Sequence, residues 1–191
     1  MNKTRLEAFS DGVMAIIITI MVLEMKIPHS SHFEDLIPLI PVFISYLLSF
    51  WYIGIYWGNH HHLLHIVKHV SSGIMLANLN LLFWLSLIPF ATGWMGENYF
   101  EPPTVAVYAL LMNLCGVSYT ILQHIIVKCH VLDEAMQGAM IKQKRKGIIS
   151  IAVYTMAIPA AFLHPAISGT LFVLVALMWL VPDKNIERVL N

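Results

Sequence analysis

The stretch RLEAFSDGVMAIIITIMVL, residues 5–23, decides the fold class of this chain. Its second half is apolar except for Thr19, and the segment extends through Glu24, Met25 and Lys26 to Ile27, where Pro28 interrupts it. A helix needs about 20 predominantly apolar residues to cross the ~30 Å hydrocarbon core of a bilayer. The stretch therefore predicts a first membrane-spanning helix over residues 6–27.

Five further apolar segments follow, over residues 36–66, 70–95, 105–127, 148–163 and 166–181. Their apolar runs are continuous rather than alternating, which indicates helices and not the strands of a barrel. The last two segments are short and are separated by little more than His164 and Pro165, which indicates a tight hairpin. We predict an all-α integral membrane protein with six transmembrane helices, forming a single domain over residues 1–191.

The amino-acid composition is typical of a protein embedded in a lipid bilayer. Of its residues, 58% are hydrophobic and 12% are charged, and the mean hydropathy is +0.72. Soluble domains carry roughly 25% charged residues. The net charge is zero, so no nucleic-acid partner is expected.

The basic residues predict the orientation in the membrane. With the N-terminus in the cytoplasm, only Lys26 among the 11 basic residues faces outward. Loops rich in Lys and Arg stay on the cytoplasmic side, so we expect a multi-pass protein with both termini there. The inward-facing basic residues are Lys3, Arg5, Lys68, Lys128, Lys142, Lys144, Arg145, Lys146, Lys184 and Arg188.

The first helix carries a carboxylate that is unusual in a membrane span. Asp11 lies one to two turns inside the predicted helix, and such groups suggest function by default. It either anchors helix packing through a partner or lines an ion path. Further along, Ile16, Ile20 and Leu23 share one helical face flanked by Thr19. In an isolated helix this apolar face is typical of ordinary membrane core.

The end of the second helix is rich in histidine. His61, His65 and His69 repeat at i, i+4 and i+8, so one helical face would carry all three. Two imidazoles at i, i+4 can bind a transition metal. This pattern leaves open a divalent-metal transporter or a metal-sensing membrane protein, although no carboxylate or cysteine lies nearby to complete a site. The alternative is a polar helix end that projects into the cytoplasm.

Asn78 in the third helix is expected to bond to Asp11 or to a histidine of the second helix, because a buried asparagine in a membrane normally bonds across helices.

The sequence has no GxSxG, HExxH or phosphate-binding glycine loop. We therefore expect neither an enzyme nor a bound cofactor.

Three motifs occur in order over the first half of the chain. They are RLEAFSDG at residues 5–12, WGNHHHL at 57–63, and Asn78 followed by LIPF at 87–90. Together they resemble the RxxxFSD, W-x-x-H and N…LPF motifs of the potassium channels called transmembrane protein 175. The six-span length is similar to that of the prokaryotic members, which have one repeat per chain.

The resemblance implies a homotetramer whose first helices line a central pore in the plasma membrane. It places the constriction at Ile16, Thr19 and Leu23, with Ile16 as the hydrophobic gate and Thr19 as a hydroxyl ring tied to potassium preference. It also implies a polar network that braces the pore helix from behind. That network would consist of Arg5, Ser10, Asp11, His60 and Asn78.

The physical properties of these residues suit the role that the resemblance implies. Four copies of the Ile16, Thr19 and Leu23 face would form a narrow apolar neck, and such necks gate by dewetting. Potassium loses water more easily than sodium, so partial dehydration would favour it modestly. The prediction is a weakly selective potassium channel, with monovalent cations as the permeant ligands.

Overall fold

The chain is all-α, as predicted from its apolar runs. The computed structural model describes residues 2–180, so the predicted end of the last span at Val181 and the basic residues Lys184 and Arg188 lie outside the described residues. A 3₁₀ helix, Phe33–Leu39, precedes the second α-helix. The α-helices are α1 (Lys3–Leu23), α2 (Ile40–His65), α3 (Ser72–Ser86), α4 (Ile88–Glu97), α5 (Pro102–Cys129), α6 (Glu134–Leu163) and α7 (Pro165–Leu180).

These elements form the six predicted membrane helices. Five segments of the described chain are long and apolar enough to span a bilayer, and α7 is a shorter apolar helix of 16 residues. Helices α3 and α4 together form the third segment. His164 alone separates α6 from α7, which confirms the predicted hairpin. The backbone N–H of Ala166 donates to His164 Nδ1 at 3.2 Å and so helps to start α7.

Two predicted boundaries were wrong. Helix α1 ends at Leu23 rather than near residue 27, and α6 begins at Glu134 rather than at residue 148. Hydropathy detects only the apolar part of a helix, whereas α6 also contains the basic stretch before it. Asp133 accepts a hydrogen bond from the N–H of Met136 at 2.7 Å and caps this polar extension.

The third segment is interrupted next to Pro89. Pro89 has no N–H to donate to the carbonyl of Leu85, four residues earlier. Helix α3 accordingly ends at Ser86, and α4 begins at Ile88. On the two sides of this break the segment packs differently, because α4 contacts α2 whereas α3 packs mainly on α5.

Helix α4 approaches α2 very closely at Gly96. A Cβ atom at Gly96 would lie 2.6 Å from the Cα of Val42 and 2.5 Å from Ser45 Oγ. Backbone atoms cannot move aside as a flexible side chain can, so any larger residue must separate the two helices. The small residue at this position therefore sets the distance between α2 and α4.

We expect Gly96→Ala to destabilise the protein by about 1–3 kcal/mol, the usual range for overpacking a dense interior. Gly93→Ala on the same helix is the matched control, because its Cβ would meet only the Glu24 side chain at 3.8 Å. Thermal unfolding in detergent measures both variants. Equal midpoints for the two would show that the contact with Val42 does not limit helix packing.

The two ends of the helix bundle differ in charge. Lys3 Nζ donates to the His65 carbonyl at 2.9 Å, which places the start of α1 beside the end of α2. At the other end, Lys26 Nζ pairs with Glu97 at 2.6 Å, and this hydrogen bond raises the pKa of Lys26. The basic residues of the described chain other than Lys26 belong to segments at the Lys3 end of the bundle.

Candidate functional site

Helix α1 has one buried face and one face that the rest of the chain leaves uncovered. The buried face packs on the neighbouring helices through Leu6, Ser10, Met14, Ile17 and Met21. Ile16 is 58% exposed and Leu23 is 79% exposed, and Thr19 is exposed between them. The three residues predicted to form the constriction thus lie together on the uncovered face of α1.

The Thr19 hydroxyl has a defined orientation on this face. Its Oγ1 donates to the Ile16 carbonyl at 2.9 Å, one turn earlier in the helix. The single hydroxyl hydrogen is used in this bond, so the oxygen lone pairs remain available as acceptors. In a ring of such hydroxyls the oxygens would present partial negative charge to a cation.

A chain of buried hydrogen bonds connects the other face of α1 to α2 and α3. His60 Nε2 lies 2.6 Å from Asn78 Oδ1, and Asn78 Nδ2 donates to Ser10 Oγ at 2.9 Å. The Ser10 hydroxyl donates in turn to the Leu6 carbonyl at 2.8 Å. Because Asn78 Oδ1 can only accept, His60 Nε2 carries the hydrogen.

These three side chains are 0–1% exposed, so water cannot replace their bonds. Removing any partner would leave a polar group unsatisfied in an apolar interior, at a cost of about 1–3 kcal/mol. The structure therefore brings together Ser10, His60 and Asn78 of the predicted network. Of the partners expected for Asn78, Asp11 or a histidine of the second helix, the structure shows the histidine, His60.

The other two predicted members lie apart from this buried chain of bonds. Asp11 Oδ1 accepts a hydrogen bond from Trp57 Nε1 at 3.0 Å, and Trp57 is 51% exposed. Arg5 is exposed at the start of α1, and its side chain makes no hydrogen bond within the described residues. Asp11 and Trp57 thus form a second, partly exposed link between α1 and α2.

The histidines do not share one helical face as expected. Helix α2 ends at His65, so His69 lies in the following loop, while His61 and His65 remain on the helix. Among residues 2–180, no group of three or more His, Cys, Asp or Glu side chains is arranged to hold a metal ion. The i, i+4, i+8 pattern was misleading because it assumed that the helix continued past His65.

A second polar cluster contacts α2, and it was not predicted from the sequence. Gln143 Nε2 donates to Asn59 Oδ1 at 3.1 Å and to Tyr119 Oη at 3.0 Å. Gln123 Nε2 donates to Gln143 Oε1 at 3.1 Å. The cluster joins α2, α5 and α6. Gln123 was the available signal, because a glutamine inside the apolar segment 105–127 is as unusual as the asparagine of α3. Gln143 lies in the basic stretch before residue 148 and gave no such signal.

Comparisons with known proteins identify the relatives of this chain. The family model described as the endosomal/lysosomal potassium channel TMEM175 matches residues 5–89. A protein of Chryseobacterium sp. (strain P1-3) described as a potassium channel is 50% identical over 191 residues, which cover 100% of this chain and 99% of that protein. A potassium channel of Streptomyces collinus is 32% identical over 155 residues, covering 76% of this chain and 75% of that protein.

The fold has a match among solved structures. The crystal structure of a lysosomal potassium-selective channel TMEM175 homolog from Chamaesiphon minutus superposes with a TM-score of 0.81 at 25% sequence identity. The match covers 94% of this chain and 96% of that chain. The relatives are described as channels and not as enzymes. Similarity along the whole length, in both sequence and fold, shows that this multi-pass membrane protein belongs to the TMEM175 family of potassium channels.

Proposed function

We propose that four copies of this chain surround a common axis in the plasma membrane, with both termini in the cytoplasm. The uncovered face of α1 would then line a central pore that conducts potassium. The observation that carries the proposal is the exposure of Ile16, Thr19 and Leu23 on a helix whose opposite face is fully packed.

Ile16 and Leu23 make this pore a hydrophobic constriction. Each would contribute four large aliphatic side chains to a ring, and water leaves a narrow apolar ring readily. An ion passing through such a ring must lose part of its hydration shell, which costs less for potassium than for sodium. The neck therefore acts as both gate and filter, with modest selectivity.

Thr19 lies between the two apolar rings, where a partly dehydrated ion needs oxygen ligands. Its hydroxyl hydrogen is used by the Ile16 carbonyl, so the oxygen faces the axis as an acceptor. Four such oxygens replace only some of the lost water. This arrangement supports a potassium preference weaker than that of a filter made of rings of backbone carbonyls.

The buried hydrogen bonds behind α1 brace the pore helix in this proposal. Ser10, Asn78 and His60 fix the rotation of α1 about its axis, since a turned helix would break the bond to Ser10. Asp11 and Arg5 would act nearer the surface, Asp11 through Trp57. None of these five residues is proposed as an ion ligand.

The test is ion flux into liposomes containing the purified protein, with a potassium gradient compared with a matched sodium gradient. Faster flux with potassium supports the channel. Cross-linking or native mass spectrometry of the same preparation gives the number of subunits. Equal flux with both ions, or a dimer as the largest assembly, would contradict the proposal.

We expect Thr19→Ala to reduce the ratio of potassium to sodium permeability by about two- to fivefold. A hydrogen bond between neutral groups contributes about 0.5–1 kcal/mol, and we take the contact between the Thr19 oxygen and the ion to be of similar strength. A free-energy change of that size corresponds to a two- to fivefold change in the permeability ratio. Thr170→Ala is the matched control, because Thr170 is exposed on α7 and its hydroxyl also bonds within its own helix, to Ala166 at 2.8 Å. An unchanged ratio in Thr19→Ala would remove this hydroxyl from the filter.

A further inference from the structure

A cavity of about 360 Å³ lies between α5 and α6, away from the proposed pore. The two helices approach closely at Gly147, where a Cβ atom would lie 3.3 Å from Thr120 Oγ1. Beyond that point, towards the loop that joins them, the helices leave the cavity open between Val127 of α5 and Ile141 of α6. This volume is similar to that of small-molecule sites.

Basic side chains line the cavity from both helices. His124 of α5 and Lys144 of α6 are exposed, and neither forms a hydrogen bond or ion pair within the described residues. The amide of Gln137 lies on the same lining. No carboxylate lines the cavity in the described part of the chain. Two unpaired groups that can carry positive charge thus face one space, which suits an anion.

Most of the remaining lining is apolar, and its other polar side chains are already hydrogen-bonded, namely Thr120, Gln123 and His130. The position of the cavity indicates where the anion comes from. Val131 is 97% exposed and Ile141 is 69% exposed at its rim, so apolar and basic surfaces adjoin. The cavity lies at the end of α5 that carries Lys128, the basic end of the bundle, which faces the cytoplasm by the distribution of Lys and Arg. Basic pockets between membrane helices on that side bind anionic lipid headgroups.

We infer that this cavity binds the phosphate headgroup of an anionic phospholipid of the inner leaflet, with Lys144 and His124 holding the phosphate. The apolar rim would contact the first carbons of the acyl chains. The inference does not depend on the channel mechanism, because no residue of the α1 pore face takes part. It assigns a lipid-binding role to part of the second half of the chain.

The test titrates the purified full chain in detergent with phosphatidylglycerol, with phosphatidylcholine and with inorganic phosphate, using native mass spectrometry and the thermal unfolding midpoint. We expect saturable binding of phosphatidylglycerol that raises the midpoint. Lys144→Gln should weaken it about fivefold, the factor equivalent to ~1 kcal/mol per basic residue near a lipid surface. His124→Gln should weaken it in the same direction.

Arg145→Gln is the matched control, because it removes one exposed positive charge from the neighbouring position on α6 without touching the cavity. It should leave the affinity within twofold of the starting protein. An equal loss of phosphatidylglycerol affinity in Arg145→Gln would show that the lipid is attracted by the overall positive charge of this end of the bundle, and it would overturn the proposed site. Equal binding of phosphatidylcholine, or equal stabilisation by inorganic phosphate alone, would overturn the assignment to an anionic lipid. The lipid-free midpoint of each variant checks that it folds.

Discussion

Replacing Ile16 by asparagine is expected to increase potassium flux through reconstituted protein by at least about tenfold. If Ile16 forms the narrow apolar ring, the barrier to conduction is the loss of water from that ring. A carboxamide at each of four positions would hold water there, and lowering the barrier by about 1.4 kcal/mol gives a tenfold change in rate. The measurement is flux into liposomes under a potassium gradient.

The control for this experiment is Ile148→Asn on α6. Ile148 is 54% exposed, close to the 58% of Ile16, so the two changes place the same polar group at similar exposure on different helices. Only the α1 variant should increase flux. Unchanged or reduced flux in Ile16→Asn, with the protein still assembled, would show that the gate lies elsewhere on α1.

The second large effect is expected from Asn78→Ala. This change removes the acceptor of His60 Nε2 and the donor to Ser10 Oγ in a fully buried site. The unsatisfied imidazole and the small cavity together should cost about 2–4 kcal/mol of stability. We expect a lower thermal midpoint and loss of assembled protein. Ser86→Ala is the control on the same helix, because its hydroxyl bonds only to the Phe83 carbonyl within that helix.

A double-mutant cycle separates this network from simple packing. If His60 and Asn78 stabilise the protein through their mutual bond, His60→Ala should cost less in the Asn78→Ala background than alone. Coupling below about 0.5 kcal/mol would mean that the two side chains act independently. In that case the bracing role would rest on packing of the buried α1 face alone.

The amino-acid sequence by itself determined the fold class and the number of membrane segments. Continuous apolar runs leave few alternatives in lipid, since every backbone polar group must be satisfied within a helix. The break between α3 and α4 beside Pro89 is likewise a local effect of the sequence, because it follows from a missing N–H. The three motifs of the first half were sufficient to identify the family, which relatives along the whole chain then confirmed.

Tertiary structure alone decided which face of α1 is covered and which polar groups meet. From periodicity, Ile16 and Ile17 are equally apolar, yet one is 58% exposed and the other 2%. The partner of Asp11 proved to be Trp57, and that of Asn78 proved to be His60, because helix packing brings together residues far apart in the sequence. Local patterns carry no information on such pairings.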